Sequence, residues 1–575
     1  MSNTIHGPLF TIAASAVSTL ISPQSFFGAL LEGIKLSNSR ISLASLYIGT
    51  GKPERALIHA LRLQLLRQSK LKVAIQLDLH RALRHNNINV SSTSTSSIIY
   101  KSSAHHLLEL YKPISTDEQE EIEETLNIET ETETKSKKTL DINSQKGYSI
   151  QLPSRIRIGL TLLPAQRTFL SSLIPPRFTE TLGVFHAKAF VFDKHTIILS
   201  GANLSEDYFS NRQDRYVLIK CQKGDEASTG VAELANYLHS FIDDIATLPG
   251  GHILSSTGKV HVNGSLNKSS SSPPSSSFYE SQSPIFMPNE IHPALHVAYK
   301  KELKRILDEK SYKGPARLDK HIRLSNSSKG CNDICIITPR MQLGDINVCH
   351  DENATLELLN GLDRWTNESC HIATGYFNLT EKYSSAISNK NNKSAITMLI
   401  AAPKANGFYG ARGISGAVPT AYSELARRFY EKCVQTGRIY NKNNDKDTSQ
   451  NGQGVSLFEY QRPGWTFHGK GLWLQSPFSM LSLVGSPNFG RRSTERDLEV
   501  QFTFATRNER LVQIFSQEQK ALWDDNYVSP IGRHIPSINE RTGNVWARPE
   551  RRIEGMTRTH GLWIHPFIAV FGGLF

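Results

Sequence analysis

FHAKAFVFDKHTIILSGANLSEDYFSNRQDRY, from Phe185 to Tyr216, is answered later in the chain by FHGKGLWLQSPFSMLSLVGSPNFGRRSTERDLE, from Phe467 to Glu499. Each stretch sets a His-x-Lys in an apolar run: His186 with Lys188, and His468 with Lys470. Residues two apart on a strand share a face, so each histidine is expected to project with its lysine. Each run reaches a turn, at Asp193-Lys194-His195 or Gln475-Ser476-Pro477, and a second apolar run follows. A turn of small residues with an Asn comes next: Ser200-Gly201-Ala202-Asn203 and Gly485-Ser486-Pro487-Asn488. Eleven residues beyond each Asn stands an acid, Asp214 or Glu499. A lone His-x-Lys in a strand is usually structural; two copies with matched turn, Asn and acid indicate an internal duplication.

Working outward, the duplication extends upstream. A helix-like stretch from Phe26 to Ile34 precedes an apolar strand, Ile41 to Ile48, just as Thr355 to Leu362 precedes His371 to Phe377. Leu71 to Leu77 and Ala395 to Ala401 supply a second strand in each copy. Short apolar runs alternating with helix-length segments predict an α/β protein of two similar halves, each a mixed sheet flanked by helices. One active site is expected at their pseudo-two-fold interface. The boundaries are read as an N-terminal segment (1–21), a first half (22–250), a Ser-rich linker (251–285), a second half (286–530) and a basic, apolar tail (531–575). Asp117 to Lys138, within an insertion at 113–147, is a charge run. Ser255 to Ser277 is rich in Ser and Tyr440 to Gly454 in Asn, Lys and Asp, and all three read as loops too polar for a core.

The 575 residues suit two or more cores, and 39% hydrophobic residues supply them. A net charge of +12 suits an anionic partner, whether nucleic acid, lipid or phosphorylated substrate. No clustered strip of basic and aromatic residues of the kind that stacks bases is present, so nucleic acid is not expected. Six scattered cysteines point away from a disulfide scaffold. Cys331-x-x-x-Cys335 and Cys349-His350 match no standard zinc knuckle, and no metal or cofactor is expected. No apolar run is long enough to span a bilayer. The N-terminus has the hydroxyl content of a transit peptide without its arginines. The tail from Gly561 to Phe575 fits either interfacial insertion beside Arg548, Arg551, Arg552 and Arg558 or packing on the protein itself.

The paired groups suit phosphoryl transfer without metal. One imidazole attacks phosphorus and the other, protonated, serves the leaving oxygen. Lys188, Lys470, Asn203 and Asn488 are placed to hold the non-bridging oxygens. Asp214 and Glu499 are the candidates for fixing each imidazole's tautomer, with Gly201 and Ser486 shaping the turns. Gly49-Thr50-Gly51 follows a strand and resembles part of a phosphate loop, but Leu46 and Pro53 break that pattern. It reads as a tight turn that could meet substrate phosphates. Arg81, Lys404 and Arg412 are further candidates for phosphate contact, with surface roles as the alternative.

The motifs resemble the HxK(x)4D signature of the phospholipase D superfamily. His186, Lys188 and Asp193 match it in full, while Gln475 stands where the second copy would have its Asp. Asp193 has the opposite parity to His186, so it is expected to brace rather than touch phosphorus. ASLYIGTG (Ala44 to Gly51), AAPKANGFYGARGISGAVPTAY (Ala401 to Tyr422) and YQRPGWTFHGKGLWL (Tyr460 to Leu474) are similar to the eukaryotic phosphatidylglycerophosphate synthase family. That resemblance runs from about Ser22 to Asp525. It implies CDP-diacylglycerol and glycerol 3-phosphate as substrates, attack by His186 to give a phosphatidyl-histidine, and His468 as acid and then base. It further implies a mitochondrial enzyme, peripheral on the inner membrane and meeting an anionic lipid surface. A homo-oligomer is compatible with the sequence. A cardiolipin synthase or a phospholipase D would use nearly the same site, and a nucleic-acid phosphodiesterase, which the net charge of +12 would also suit, is the rival from a different class.

Overall fold

The computed structural model describes residues 4–84, 102–112, 153–167, 179–221, 228–264, 293–311, 315–317, 333–362, 369–411, 413–439 and 454–531. Most of the polar insertions and the tail beyond Ile531 lie outside these residues.

Two large mixed sheets form the frame. In spatial order the first holds Val260–Val262, His252–Leu254, Ile156–Thr161, Lys72–Asp78, Arg40–Ala44, Ala189–Phe192, Thr196–Ser200, Tyr216–Lys220 and Val17–Leu20. The second holds Val348–Cys349, Ile334–Leu343, Glu499–Thr506, Ser479–Gly485, Gly471–Ser476, Ser369–Thr374, Ala395–Ala401, Gly454–Tyr460 and Val528–Ile531. The duplication is visible in the strand directions. Arg40–Ala44, Lys72–Asp78 and Ile156–Thr161 run parallel, as do Ser369–Thr374, Ala395–Ala401 and Gly454–Tyr460. An antiparallel trio then extends each sheet: Ala189–Phe192, Thr196–Ser200 and Tyr216–Lys220, matched by Gly471–Ser476, Ser479–Gly485 and Glu499–Thr506.

Matching helices cover corresponding faces. Ser228–Ala246 places Val231, Leu234, Ala235, Leu238, Phe241, Ile242 and Ile245 at spacings of three and four, which gives one apolar stripe. Glu509–Leu522 repeats the device with Leu511, Val512 and Phe515, and Asn508 caps it by accepting from the Leu511 N–H. Both helices join one core that draws on both sheets, with Ile197, Leu199 and Val217 from the first and Trp473, Val484 and Phe502 from the second. Separate outer cores lie wholly within each half, around Leu43 and Ile75 in one and Ile372 and Met398 in the other. The halves are therefore fused through a common interior.

Three expectations change here. Residues 1–21 read as a segment outside the halves, yet Phe10–Ala13 pairs with Ile334–Leu343 and Val17–Leu20 with Tyr216–Lys220. The alternation in FTIA and VSTL is a strand signal that the hydroxyl content obscured. Residues 251–264 read as linker, but His252–Leu254 and Val260–Val262 form a hairpin on the edge of the first sheet. The strand expected over Ile41 to Ile48 ends at Ala44, where the chain turns toward the site.

Candidate active site

His186 and His468 each lie just before a strand rather than within it, at Ala189–Phe192 and Gly471–Ser476. What holds them is main chain from the other half. The His186 N–H donates to Leu498 O at 2.9 Å, and the Leu498 N–H donates to Val184 O at 3.0 Å. In the partner copy, Thr466–Phe467 runs parallel to Arg212–Gln213, and the His468 N–H donates to Gln213 O at 2.8 Å. Each histidine is thus registered against the residue that immediately precedes the opposite half's acid.

The acids consequently cross. His186 Nδ1 donates to Glu499 Oε2 at 2.9 Å, and His468 Nδ1 donates to Asp214 Oδ2 at 2.6 Å. A carboxylate on Nδ1 fixes the tautomer that leaves the Nε2 lone pair free for chemistry. Spacing along the chain showed the acids but not this exchange. All four side chains are buried. Burial would raise the Glu499 carboxyl, but His186 and Lys188 hold it down to about 2. Asp214 is also lowered: burial opposes ionisation and Lys470 and His468 outweigh it.

The lysines converge on one centre, since Lys188 senses Lys470 and Asp214 as well as Glu499. Burial depresses both ammonium groups, Lys188 strongly. Lys188 Nζ donates to His186 O at 2.7 Å. Lys470 Nζ instead stands 2.6 Å from His468 Nδ1 and 3.2 Å from Asp214 Oδ2. Gly201 permits this approach, because a Cβ there would lie 2.7 Å from Lys470 Nζ and 2.8 Å from Asp214 Oδ1. Ser486, its counterpart, accepts from the Val500 N–H at 3.1 Å. The Oδ1 atoms of Asn203 and Asn488 are buried without a protein partner. Unmet buried amides cost about 1–3 kcal/mol, and here they mark where an entering group completes the network.

Other candidates fall elsewhere. Asp193, at φ 49°, accepts from the backbone N–H groups of Asn38, Ser39 and Arg40 at 2.7–2.8 Å and from the Ser39 hydroxyl. It ties the hairpin to the end of the helix Pro23–Leu36 and does not reach the reacting groups, as its parity predicts. The Gly49–Gly51 turn is closed by Glu54, whose Oε1 accepts from the Glu206 N–H. Glu54 is buried, its carboxyl raised by that burial, and its two oxygens fill the space over Gly49 and Gly51, so the expected phosphate contact of Gly49, Thr50 and Gly51 has no support in the geometry. Arg81 lies 4.5 Å over the Tyr47 ring and meets Glu180 at 3.4 Å. Lys404 is exposed, and Arg412 and Cys331 lie outside the described residues. Burial pushes the Cys335 thiol up to about 12, which disfavours the thiolate that zinc would need.

Several neighbours left no signal in the sequence. Tyr208 packs edge-on to His468 with 5.1 Å between ring centroids, and Tyr376 does so at 5.4 Å. Asp78 accepts from the Phe185 N–H at 3.0 Å and fixes the main chain next to His186. Asp497 accepts from the Val184 N–H at 2.9 Å and pairs with Arg492 at 3.0 Å. His186, Asp497 and Glu499 are near enough to share a cation, but Asp497 is already engaged by these two partners. Arg215, 1% exposed, clamps the halves through Glu518 at 2.8 and 2.9 Å and lies 3.6 Å over Trp473.

This arrangement, two histidines with crossed carboxylates and two lysines at one centre, is competent for double displacement at a phosphate diester. No family model matches the chain. Among curated proteins it is 31% identical, over 90% of its length and 74% of the relative's, to a probable CDP-diacylglycerol–glycerol-3-phosphate 3-phosphatidyltransferase of Dictyostelium discoideum. It is likewise 31% identical to the mitochondrial protein of that name from Mus musculus, over 90% of this chain and 79% of the other. Among solved structures, a phosphatidylserine synthase from Haemophilus influenzae superposes with a TM-score of 0.63 at 17% identity, covering 99% of this chain and 96% of that one.

Proposed function

The chain belongs to the family of CDP-diacylglycerol–glycerol-3-phosphate 3-phosphatidyltransferases, and from that premise we propose how its residues carry the reaction. The phosphatidyl group of CDP-diacylglycerol passes to glycerol 3-phosphate, giving phosphatidylglycerophosphate and CMP. The observation that carries the reading is the crossed pairing of His186 with Glu499 and His468 with Asp214.

His186 attacks the phosphorus that bears diacylglycerol, and the P–O bond to CMP breaks. The resulting phosphatidyl-imidazolium is positive, and Glu499 and Asp497 lie where they stabilise it. His468 delivers a proton to the departing CMP oxygen. It then takes the proton of the incoming glycerol 3-phosphate hydroxyl as the new P–O bond replaces the bond to His186. Lys188 and Lys470 meet the charge that grows on the non-bridging oxygens, in a water-poor site where such contacts count most.

A lipid substrate requires a membrane surface. Among the described residues no helix is long and apolar enough to cross a membrane. The net charge of +12 supports peripheral attachment to an anionic surface. The name of the Mus musculus relative supports a mitochondrial location, and the reading places the enzyme on the inner membrane.

The test is acceptor dependence. The purified chain is given CDP-diacylglycerol with glycerol 3-phosphate, with phosphatidylglycerol, or with water alone, and CMP and lipid products are followed. Phosphatidylglycerophosphate formed only with glycerol 3-phosphate is expected. Cardiolipin from phosphatidylglycerol, or phosphatidate from water at a comparable rate, would replace this reading.

A further inference from the structure

The two copies differ at the position five residues beyond the turn Asn. In the second copy it is Ser493, whose Oγ accepts from the Asn488 N–H at 3.1 Å and serves the local turn. In the first copy it is Tyr208, which crosses to the other half's histidine. Its hydroxyl stands 3.3 Å from His468 Nε2 and receives a hydrogen bond from Asn203 Nδ2 at 3.1 Å. With Nδ1–H committed to Asp214, Nε2 carries the lone pair, so the Tyr208 O–H donates to it. A directed relay results, from Asn203 through Tyr208 and His468 to Asp214. Among the described residues no hydrogen bond reaches Nε2 of His186.

We propose that Tyr208 is a positioning residue that caps the Nε2 lone pair of His468 whenever that nitrogen is unprotonated, as it is again once its proton has gone to CMP, and holds it until the acceptor alcohol displaces the phenol, so that transfer outcompetes hydrolysis. The proposal rests on the reaction read above. In the second step the P–N bond to His186 breaks while a P–O bond forms, and the acceptor's proton moves to His468 Nε2. Water could serve as that acceptor and would give phosphatidate. To be activated it must first take the place of the tyrosine hydroxyl, and it carries no second group whose binding would offset that loss. A phosphorylated alcohol does, since its phosphate binds while its hydroxyl exchanges for the phenol. The ring is held for this role: it is buried, edge-on to His468, and Arg212 lies 4.8 Å over it. A hydroxyl donated to the lone pair also favours neutral imidazole, in the same direction as burial and Lys470, which lower His468.

The experiment uses the full chain and its Tyr208→Phe variant, which keeps the ring and removes the hydroxyl. Diethyl pyrocarbonate, which acylates unprotonated imidazole nitrogen, is followed by peptide mass mapping, a readout independent of substrate. In the wild type His186 should be modified before His468. Y208F should raise the His468 rate about fivefold, the effect of one hydrogen bond, and leave His186 unchanged. With CDP-diacylglycerol and glycerol 3-phosphate, Y208F should raise the ratio of phosphatidate to phosphatidylglycerophosphate by a similar factor. The alkaline limb of CMP release should move up by about half a pH unit. An unchanged His468 rate in Y208F overturns the proposal, as does a parallel fall of both products with an unmoved pH limb. If Y208F does not fold, equal modification of the two histidines in the wild type overturns it. A wild type that releases no CMP overturns the assigned reaction instead, and the mapping still decides the role of Tyr208.

Discussion

His186 and His468 occupy equivalent places in the duplicated fold, yet their surroundings have opposite charge. Around His186 stand Glu499, Lys188 and, nine residues after the turn Asn, Asp497. Around His468 stand Asp214, Lys470 and, at that same ninth position, Arg212. Both imidazoles are lowered by burial and by their own lysine and raised by their carboxylate, but at His186 the carboxylate Glu499 is the larger of the two charge effects and Asp497 adds to it, while at His468 Lys470 is the larger and Arg212 adds to it. The difference teaches that the backbone was kept and the roles divided by a few substitutions. The acidic setting favours the histidine that becomes positive on bonding to phosphorus. The basic setting favours the one whose proton must leave readily, once an anionic substrate has offset the cations.

The sharpest way to break this comparison is to remove each histidine. His186→Ala and His468→Ala should each lower turnover by at least about 10⁴-fold. Rapid quenching of the wild type with labelled lipid should place the label on the His186 peptide, and label on His468 would exchange the roles. Next come the acids. Glu499→Gln and Asp214→Asn should each cost about 10³-fold in turnover. Carbethoxylation should then change at His186 for the first and at His468 for the second, and coupling within the same half would undo the crossing. A third comparison concerns stability. Arg215→Ala strands Glu518 in the shared interior and should cost about 3–5 kcal/mol in urea unfolding. Val500→Ala, at the matching position, should cost about 1–2 kcal/mol. Equal losses would mean that the clamp does not join the halves.

The smallest single-residue effect is acid sensitivity. Burial lowers His106 and His239 to about 4 and His252 to about 3 in the first half, and His371 to about 4 in the second. Each then binds fewer protons folded than unfolded between about pH 6.5 and its folded value. The stability it contributes is present above about 6.5 and is lost as pH falls, by about 1 kcal/mol per pH unit for each histidine. Hydrogen exchange between pH 6.5 and 5 should show first-half amides losing protection first. The reverse order would contradict the burial of these groups.

Much of the site was legible in the sequence because buried polar residues recur at a fixed offset within apolar runs. His-x-Lys, the turn Asn and the acid at eleven residues all survive as a pattern. Partnership across the halves was not legible, because register between distant strands leaves no periodic trace. Tyr208, Arg212 and Asp497 escaped for a related reason: they are the positions where the copies disagree, and a search for repetition passes over them. The core strands were visible as apolar runs. The short strands Phe10–Ala13 and Val17–Leu20 hid behind their hydroxyl content, and the hairpin at 252–262 behind its Ser-rich neighbour.

The N-terminal strands have a consequence for how the chain is made. Phe10–Ala13 is synthesised ahead of the first half, yet its partner strand, Ile334–Leu343, emerges only after that half is complete. Until then its N-terminal strand has an unpaired edge, and the interior where Trp473, Val484 and Phe502 will pack stays unfilled for longer still. Such long-range pairing folds slowly and leaves apolar surface open to aggregation while it waits. A ribosome stalled between the halves would therefore release a sticky fragment, and chaperone demand should persist from Tyr216 until Phe502 has emerged.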